Sequence, residues 1–496
     1  MSYLQQSLIQ FRADGHKVSI HRNQFIVILI VLLTALPLLG WVALTGTKGA
    51  LILIRATSQM SQPVVPSTTK INVIPTTGAG SVASAANASD SVNAKNADAF
   101  VDSVGINVHL HYTDTPYANF GAVKSALVDL GIRHIRDGLI DTTWKPYYDR
   151  LNELGKLGIK STLLTTPSQS ETVLATYPAR VPESFEGYEA PNEYDLSGDP
   201  NWAATINSFM PKLYRAVKTN PSTSRFPVLG PSLTQAGSFP QMAATAPFLD
   251  FANLHNYFGG RNPGTPGWGS NGYGSMDWNL ALVKDPWPGK PIMTTESGYR
   301  NDLSNPQAIP EDISAKYLPR LLLEQWIHGI QRTYIYELVD LGGKFPDNSF
   351  GLVHSDFSPK AGYRAIKGLL QLLSDPGPPF GSGILNFNLS GDLANVHHLL
   401  LEKRNGTFYL ALWVEQPSYD VNAKKLLPVA AHKIIVQTGG QAAMRVYHLD
   451  VDGNMETSPL ESLPMPTLNV DDRVSILEIS APALLPPSNL RVIEIK

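Results

Sequence analysis

The segment GYEAPNEYD (187–195) contains the end of a predicted strand and the polar pair Asn192-Glu193. That strand, EGYEAPNE (186–193), is the fourth of eight short strand-like runs between residues 104 and 339. Segments whose apolar residues have helical spacing lie between these runs. Eight strand–helix units in about 270 residues are typical of a (β/α)8 barrel. An open doubly wound sheet is the alternative, but it usually has fewer strands.

The predicted fold class is therefore α/β, a (β/α)8 TIM barrel over residues 100–375. Its strands are expected at 104–110, 132–137, 161–166, 186–193, 226–232, 250–257, 290–296 and 331–339. C-terminal to the barrel segment, apolar residues no longer recur at helical spacing, and short predicted strands alternate with Gly, Asn, Asp and Pro turns. Residues 376–496 are therefore predicted to form a C-terminal β-sandwich.

The N-terminal part of the chain predicts a membrane anchor. Residues 23–47 have no charged side chain, and FIVILIVLLTALPLLGWVAL (25–44) is almost wholly apolar. About 20 such residues cross the hydrocarbon layer as a helix, so we expect a transmembrane signal-anchor at 23–47. A slight excess of basic residues before it places residues 1–22 in the cytoplasm and the rest of the chain outside it. A cleaved signal peptide is the alternative. Residues 48–99, rich in Ser, Ala and Thr, are expected to be a flexible linker.

Composition excludes several classes of protein. The chain has 496 residues, 16% charged side chains and a formal net charge of -3, without the basic stripe that binds nucleic acid. It has no cysteine, which excludes disulfides, thiolate metal sites and a cysteine nucleophile. No GxGxxG or GxxxxGKS/T motif follows a predicted strand. We therefore expect no cofactor, no metal and no nucleic-acid partner.

The barrel prediction selects among the carboxylates, because barrel active sites lie at the C-terminal ends of the strands. Asn152-Glu153 has the same dipeptide as Asn192-Glu193, but it lies inside a predicted helix, where a solvated face is expected. Glu193 ends the fourth strand, and Glu296 of TTESGYR (294–300) ends the seventh. Side chains at these two positions can flank one bound group. Two carboxylates about 5–5.5 Å apart suit a retaining glycosidase.

With this pattern the sequence resembles the clan A glycoside hydrolases and is most similar to the family 39-like members. The resemblance covers roughly residues 100–375. It implies that Glu193 is the general acid/base, that Glu296 is the nucleophile, and that Asn192 hydrogen-bonds the sugar 2-hydroxyl. It also implies that the substrate is a carbohydrate.

Other predicted strand ends agree with the resemblance. Arg136 ends the second strand, where a cation favours the ionised nucleophile. His255 and Tyr257 end the sixth strand and resemble the clan's His-x-Tyr, so Tyr257 is expected to donate to Glu296 and His255 to line the sugar site. His109, at the end of the first strand, is either a sugar contact or a structural residue.

Two aromatic positions concern the walls of the site. Many clan members have a Trp near the end of the eighth strand, whereas this chain has Tyr336 there, followed by a third strand-end carboxylate, Glu337. Glu337 is poorly placed to oppose its neighbour on the seventh strand. Trp268 belongs to a long Gly-rich loop (259–278) and either forms a wall of the substrate cleft or fastens the loop to the barrel.

The sequence thus predicts a membrane-anchored, extracytoplasmic retaining glycoside hydrolase that cleaves O-glycosidic bonds of a polysaccharide or cell-envelope glycan. A non-catalytic carbohydrate-binding barrel of the cell surface is the first alternative, although a binding protein has no need of both carboxylates. A metal-dependent hydrolase is the second, because His109-x-His111 superficially resembles a ligand pair.

Overall fold

The computed structural model describes residues 8–13, 16–21, 42–45, 51–54, 90–343, 349–438, 440, 442–463 and 465–480. Two compact units are present, Met1–Val82 and Ala83–Lys496. In the first, Leu8–Ala13 pairs with His16–His21 and Val42–Thr45 with Leu51–Ile54. Most of the predicted anchor (23–47) lies outside the described residues. Its described part, Val42–Thr45, is a strand rather than a helix. Within the described ranges, no helix is long and apolar enough to cross a membrane.

Eight parallel strands form the barrel of the second unit. They are β1 (Val104–Asn107), β2 (His134–Gly138), β3 (Lys160–Leu164), β4 (Phe185–Glu189), β5 (Val228–Leu229), β6 (Ala252–His255), β7 (Ile292–Ser297) and β8 (Ile330–Ile335). The order in the sheet is β5-β4-β3-β2-β1-β8-β7-β6. A parallel bridge between Leu229 and Phe251 joins β5 to β6 and closes the barrel. The predicted barrel is therefore confirmed.

Helices surround these strands. They are α1 (Ala97–Asp102), α2 (Phe120–Leu130), α3 (Lys145–Lys156), α4 (Glu171–Thr176), α5 (Trp202–Lys218), α6 (Met276–Lys284), α7 (Glu311–Ile327) and α8 (Ala361–Leu373). A 3-10 segment, Ala236–Phe248, stands between β5 and β6 in place of an α-helix. Asn152 and Glu153 lie on α3, and Glu153 pairs with Lys124 at the surface. The prediction of a solvated face is thus confirmed for this pair.

The fourth strand is shorter than predicted, and this places the Asn-Glu pair in a turn. β4 ends at Glu189 rather than at residue 193. Pro191 has no backbone N–H and cannot extend the ladder. Glu193 itself has left-handed backbone angles, φ 40° and ψ 40°, and its N–H donates to the carbonyl oxygen of Ser232. The turn therefore aims Glu193 across the barrel mouth, away from the direction that a continued strand would impose.

The C-terminal β-sandwich is also present. Its strands are β9 (Ile384–Gly391), β10 (Val396–Glu402), β11 (Phe408–Val414), β12 (Tyr419–Asp420), β13 (Lys425–Leu426), β14 (His432–Gln437), β15 (Ala442–Leu449), β16 (Met455–Leu463), β17 (Thr467–Val470) and β18 (Ser475–Ser480). One sheet has the order β17-β14-β9 and the other β16-β15-β18-β11-β10, while β12 and β13 form a separate pair.

Residues 90–99 differ from the predicted linker. Asp90–Asn93 pairs antiparallel with β9, and Lys95–Asn96 pairs parallel with β10. Each sandwich sheet therefore has an edge strand from the residues that precede the barrel in sequence. α1 then begins at Ala97, with the side chain of Asn96 as its N-cap. The predicted linker 48–99 is therefore too long at its C-terminal end. The polar composition of these residues suits an exposed edge strand, and local sequence does not show that a distant strand pairs with it.

Candidate active site

A cleft of about 580 Å³ opens at the C-terminal end of the barrel strands. It is lined by most of the residues that the sequence singled out: His109, Arg136, Asn192, Glu193, Tyr257, Glu296 and Tyr336. Further lining residues come from the loops after β1, β2 and β3 on one side and after β6, β7 and β8 on the other. The cleft is thus the place where the predicted site residues meet.

Arg136 on β2 is the central cation of the site, and it is buried. Its Nη1 donates to Glu296 Oε1 at 2.6 Å and its Nη2 donates to Asn192 Oδ1 at 2.7 Å. Burial alone would lower the pKa of Arg136, but the charges of Glu189 and Glu296 raise it. The guanidinium therefore stays charged and links the two strand ends that carry the predicted catalytic carboxylates.

Glu189 is a site residue that sequence reasoning missed. It is fully buried at the end of β4 and binds Arg136 through two bonds, of 2.6 and 2.8 Å. Its Oε1 also accepts from Asn253 at 3.1 Å and from Thr295 at 3.0 Å. A charged residue in an otherwise buried strand was the signal that could have identified it, since buried charges are paired.

Glu296 on β7 is buried and surrounded by donors. Besides the bond from Arg136, its Oε2 accepts from the hydroxyl of Tyr257 at 3.0 Å. Burial, followed by the negative charge of Glu296, raises the pKa of Tyr257 well above its ordinary value. The phenol is therefore a neutral donor. Each Glu296 oxygen thus has a donor of its own, Arg136 at Oε1 and Tyr257 at Oε2.

Glu193 has a different partner. Its Oε1 lies 2.7 Å from Nδ1 of His255, whose side chain is almost completely buried. Nε2 of His255 lies 3.0 Å from the hydroxyl oxygen of Thr295. The predicted contact of Tyr257 with Glu296 is present, whereas His255 is not among the residues that line the cleft: its buried ring binds Glu193 from behind the cleft surface.

A hydrogen-bond network around Thr295 supports the imidazole of His255 on the side away from Glu193. The Thr295 hydroxyl has one hydrogen and faces two acceptors, Glu189 Oε1 at 3.0 Å and Asn253 Oδ1 at 2.8 Å. Nε2 of His255 is the third polar atom at this hydroxyl, so the His255 ring links Glu193 to Glu189 through Thr295.

The two carboxylates lie close together. One oxygen of Glu193, one of Glu296 and a ring nitrogen of His255 all lie within 4.8 Å of one another. These three groups are also the ones that could hold a metal ion, because carboxylate oxygen and imidazole nitrogen are common ligands. The His109-x-His111 pair does not form such a set: His109 faces Glu337 Oε2 at 3.3 Å and His111 faces Asp137 Oδ1 at 3.4 Å.

Asn192 presents a donor to the cleft. Its Oδ1 accepts from Arg136, which can only donate, so the orientation of the amide is determined. The NH2 group is left for a ligand, and Asn192 is exposed where it lines the cleft. The predicted contact with a sugar hydroxyl stays a prediction, and it needs this NH2 group as its donor.

An aromatic wall takes the place where a Trp was expected. Tyr336 contacts His109 edge-to-face, with ring centres 5.9 Å apart, and Phe350 in the same way at 5.6 Å. His109 in turn stacks on Tyr112 at 4.6 Å. Phe350, which sequence reasoning missed, comes from the loop after β8, far from its strand in sequence. Glu337 lies outside the cleft lining and is fully buried, where it accepts from the hydroxyl of Tyr117 at 3.0 Å.

Trp268 is not among the residues that line the cleft. Its ring packs under the guanidinium of Arg261, 4.2 Å from the ring centre, and contacts Tyr273 edge-to-face at 5.4 Å. A Cβ at Gly274 would lie 2.3 Å from the ring, so this loop is closed tightly over it. The contacts favour the second sequence interpretation, in which the aromatic residues fasten the loop.

The fold is similar to that of solved family 39 glycoside hydrolases. A family 39 enzyme from Xanthomonas axonopodis pv. citri matches at a TM-score of 0.55 and 16% identity, over 78% of this chain and 96% of its own. A monomeric beta-xylosidase from Caulobacter crescentus CB15 matches at 0.54 and 17%, over 78% and 98%. A glucosidase from Croceicoccus marinus matches at 0.52 and 12%, over 79% and 98%. By sequence, neither a known family profile nor a curated protein matches the chain.

These comparisons confirm, at the level of the fold, the resemblance that the sequence motifs indicated. The match takes in 78% of this chain and nearly the whole of each of these two solved structures. The chain therefore shares its fold, a (β/α)8 barrel followed by a β-sandwich, with these glycoside hydrolases.

Proposed function

We propose that the chain is a retaining glycoside hydrolase that cleaves O-glycosidic bonds of a polysaccharide or cell-envelope glycan by double displacement. The observation that carries the proposal is the approach of Glu193 and Glu296 to within 4.8 Å, oxygen to oxygen, in one cleft. Retaining enzymes have their two carboxyl groups about 5–5.5 Å apart, whereas inverting enzymes leave about 6.5–9.5 Å for a water molecule.

The roles follow from the two different environments. Glu296, with Arg136 and Tyr257 as donors, is the ionised nucleophile that attacks the anomeric carbon. Glu193, whose Oε1 lies 2.7 Å from Nδ1 of His255, protonates the leaving oxygen. Once Glu296 is esterified its negative charge is gone, and Glu193 can take a proton from the attacking water. Asn192 would meanwhile donate to the sugar 2-hydroxyl and stabilise the oxocarbenium-like transition state.

The test is hydrolysis by the full chain of a panel of polysaccharides and of aryl β-xylosides and β-glucosides, the last two suggested by the names of the fold neighbours. Glu193→Gln and Glu296→Gln are compared with Glu153→Gln, a control on the surface of α3. We expect each active-site variant to lose roughly 10²–10⁴-fold in kcat and the control to retain activity. Wild-type activity in both active-site variants would refute the mechanism. A product with inverted anomeric configuration in NMR would refute the double displacement but not the hydrolase activity.

We also propose that the enzyme is anchored in the membrane through residues 23–47, with the barrel outside the cytoplasm. The long charge-free run at 25–44 supports this. Extraction of the full chain from membranes tests it: release by high salt alone, or recovery in the soluble fraction, would contradict the anchor. Carbohydrate binding without hydrolysis across the whole panel would instead favour the alternative of a carbohydrate-binding barrel.

A further inference from the structure

One carboxylate of the sandwich reaches the loop beside the cleft. Glu415 follows β11, and its side chain is almost completely buried. Its Oε1 accepts from the side chain of Asn262 at 2.7 Å and from the backbone N–H of Gly264 at 2.9 Å, both in the loop after β6. Both bonds therefore join the sandwich to a loop of the barrel.

The rest of the Glu415 carboxylate is held rigidly. Arg320 on α7 donates to Oε2 at 2.7 Å through Nε and to Oε1 at 2.6 Å through Nη2. The indole of Trp413 donates to Oε2 at 3.0 Å. Burial acts to raise the pKa of Glu415, but the charge and hydrogen bonds of Arg320 lower it by more. The pKa of Glu415 therefore lies below its ordinary value. An ionised carboxylate with five donors is a stiff anchor point.

The anchored loop is continuous with the proposed active site. It begins at Tyr257, the donor to Glu296, and Gly259 and Gly260 line the cleft. The loop also lies tightly against its surroundings. A Cβ on Gly260 would be 2.7 Å from the Val421 side chain of the sandwich, and one on Gly264 would be 2.3 Å from Cγ of Glu415.

We propose that Glu415 is a positioning residue for the proposed active site. By holding Asn262 and Gly264, the sandwich fixes the loop that aligns the Tyr257 hydroxyl with Glu296. The sandwich is then part of the active-site framework, and Glu415 acts through Tyr257 without touching substrate. The kinetic part of this inference rests on the proposed glycosidase function.

Three variants of the full chain test the inference. Asn262→Ala removes only the side-chain bond of the loop, and Gly264→Ala pushes the loop away from an intact Glu415. Glu415→Gln keeps the shape and removes the charge. The control is Lys316→Met, which breaks a barrel–sandwich ion pair with Asp472 at 2.8 Å and removes none of the five donors to Glu415.

The first readout is hydrogen–deuterium exchange of residues 258–278. We expect faster exchange there in Asn262→Ala, Gly264→Ala and Glu415→Gln, and wild-type exchange in Lys316→Met. Unchanged exchange in the two loop variants would overturn the proposal. This readout needs no substrate, so it decides whether Glu415 holds the loop even if the wild type hydrolyses no glycoside. Absence of hydrolysis by the wild type would reject the proposed function and leave the loop contact to be judged by exchange.

The second readout is kcat with an aryl glycoside that the wild type hydrolyses. We expect Gly264→Ala to lower kcat on the order of 10- to 100-fold, the cost of a misplaced group, with a small effect on KM. In a Tyr257→Phe background the same substitution should have a far smaller effect, because the bond it disturbs is already gone. Wild-type kcat in Gly264→Ala, or full additivity with Tyr257→Phe, would show that the loop contact is structural only.

Discussion

Arg136 and Glu189 form a buried bidentate ion pair beneath the cleft, with bonds of 2.6 and 2.8 Å. The pair uses Nε and one hydrogen of Nη2, which leaves the guanidinium free to donate to Glu296 and Asn192 as well. Glu189 therefore sets the orientation of the cation that holds both strand ends. It has no contact with the cleft of its own.

Glu189→Gln should destabilise the protein and impair activity together. The substitution leaves Arg136 with a single buried carboxylate partner and places an NH2 group among donors. Breaking a buried ion pair from one side costs about 3–5 kcal/mol. We expect a lower free energy of unfolding in urea and a lower kcat in the protein that remains folded. Wild-type stability and kcat would show that Glu189 has no role in orienting Arg136.

Glu193→Gln should lose activity in proportion to how poor the leaving group is. A leaving group that needs no proton, such as 2,4-dinitrophenolate, bypasses the general acid during formation of the glycosyl-enzyme. We therefore expect a loss of roughly 10²–10⁴-fold with an alkyl glycoside and a much smaller loss in the burst phase with the dinitrophenyl glycoside. Equal losses with both substrates would argue against an acid role for Glu193.

Tyr257→Phe removes one of the two donors to Glu296 and nothing else that is polar. The hydroxyl lies 3.0 Å from Oε2, and the ring stays in contact with Phe350, 5.6 Å from centre to centre. We expect kcat to fall, KM to change little and the melting temperature to stay close to that of the wild type. A rise in KM at constant kcat would instead make Tyr257 a residue that binds substrate.

The lower end of the barrel predicts a pH dependence of stability. His134 lies between Asp102, at 3.1 Å, and Glu186, at 2.9 Å. Burial acts to lower the pKa of His134, but these two carboxylates raise it above its ordinary value. A raised folded-state pKa adds stability that is present below the unfolded pKa and is lost as the pH rises through the folded pKa.

The melting temperature should therefore fall as the pH rises above about 6.5, the ordinary pKa of histidine, and His134→Gln should reduce that fall. His448→Gln is the control, because this ring lies at the surface with 42% of its side chain exposed. Thermal unfolding followed by circular dichroism across the pH range gives the comparison. An unchanged slope in His134→Gln would mean that His134 is not charged in the folded protein.

Activity should survive a chelator. The proposed mechanism passes no step through a metal, although Glu193, His255 and Glu296 offer donor atoms within 4.8 Å of one another. We expect full kcat after dialysis against EDTA. Loss of activity that returns with Zn²⁺ or Mn²⁺ would support the metal-dependent alternative and assign the three residues as ligands.

The sequence by itself determined the barrel and the pair of carboxylates. Periodicity is a local property, so each strand–helix unit can be recognised without its neighbours. Because every parallel strand of a barrel ends at the same face, Glu193 and Glu296 could be brought together from 103 positions apart. The same rule separated Glu193 from Glu153, which lies on a helix surface.

Only the tertiary structure decided which side chains touch. Glu189 has a role because Arg136, on another strand, faces it inside the barrel, and no local pattern contains that pairing. Phe350 reaches the wall beside Tyr336 from a loop whose path depends on the packing below it. Glu415 reaches the loop after β6 from another layer of the fold. Contacts of this kind depend on how separate segments converge, and a sequence read one segment at a time does not contain that convergence.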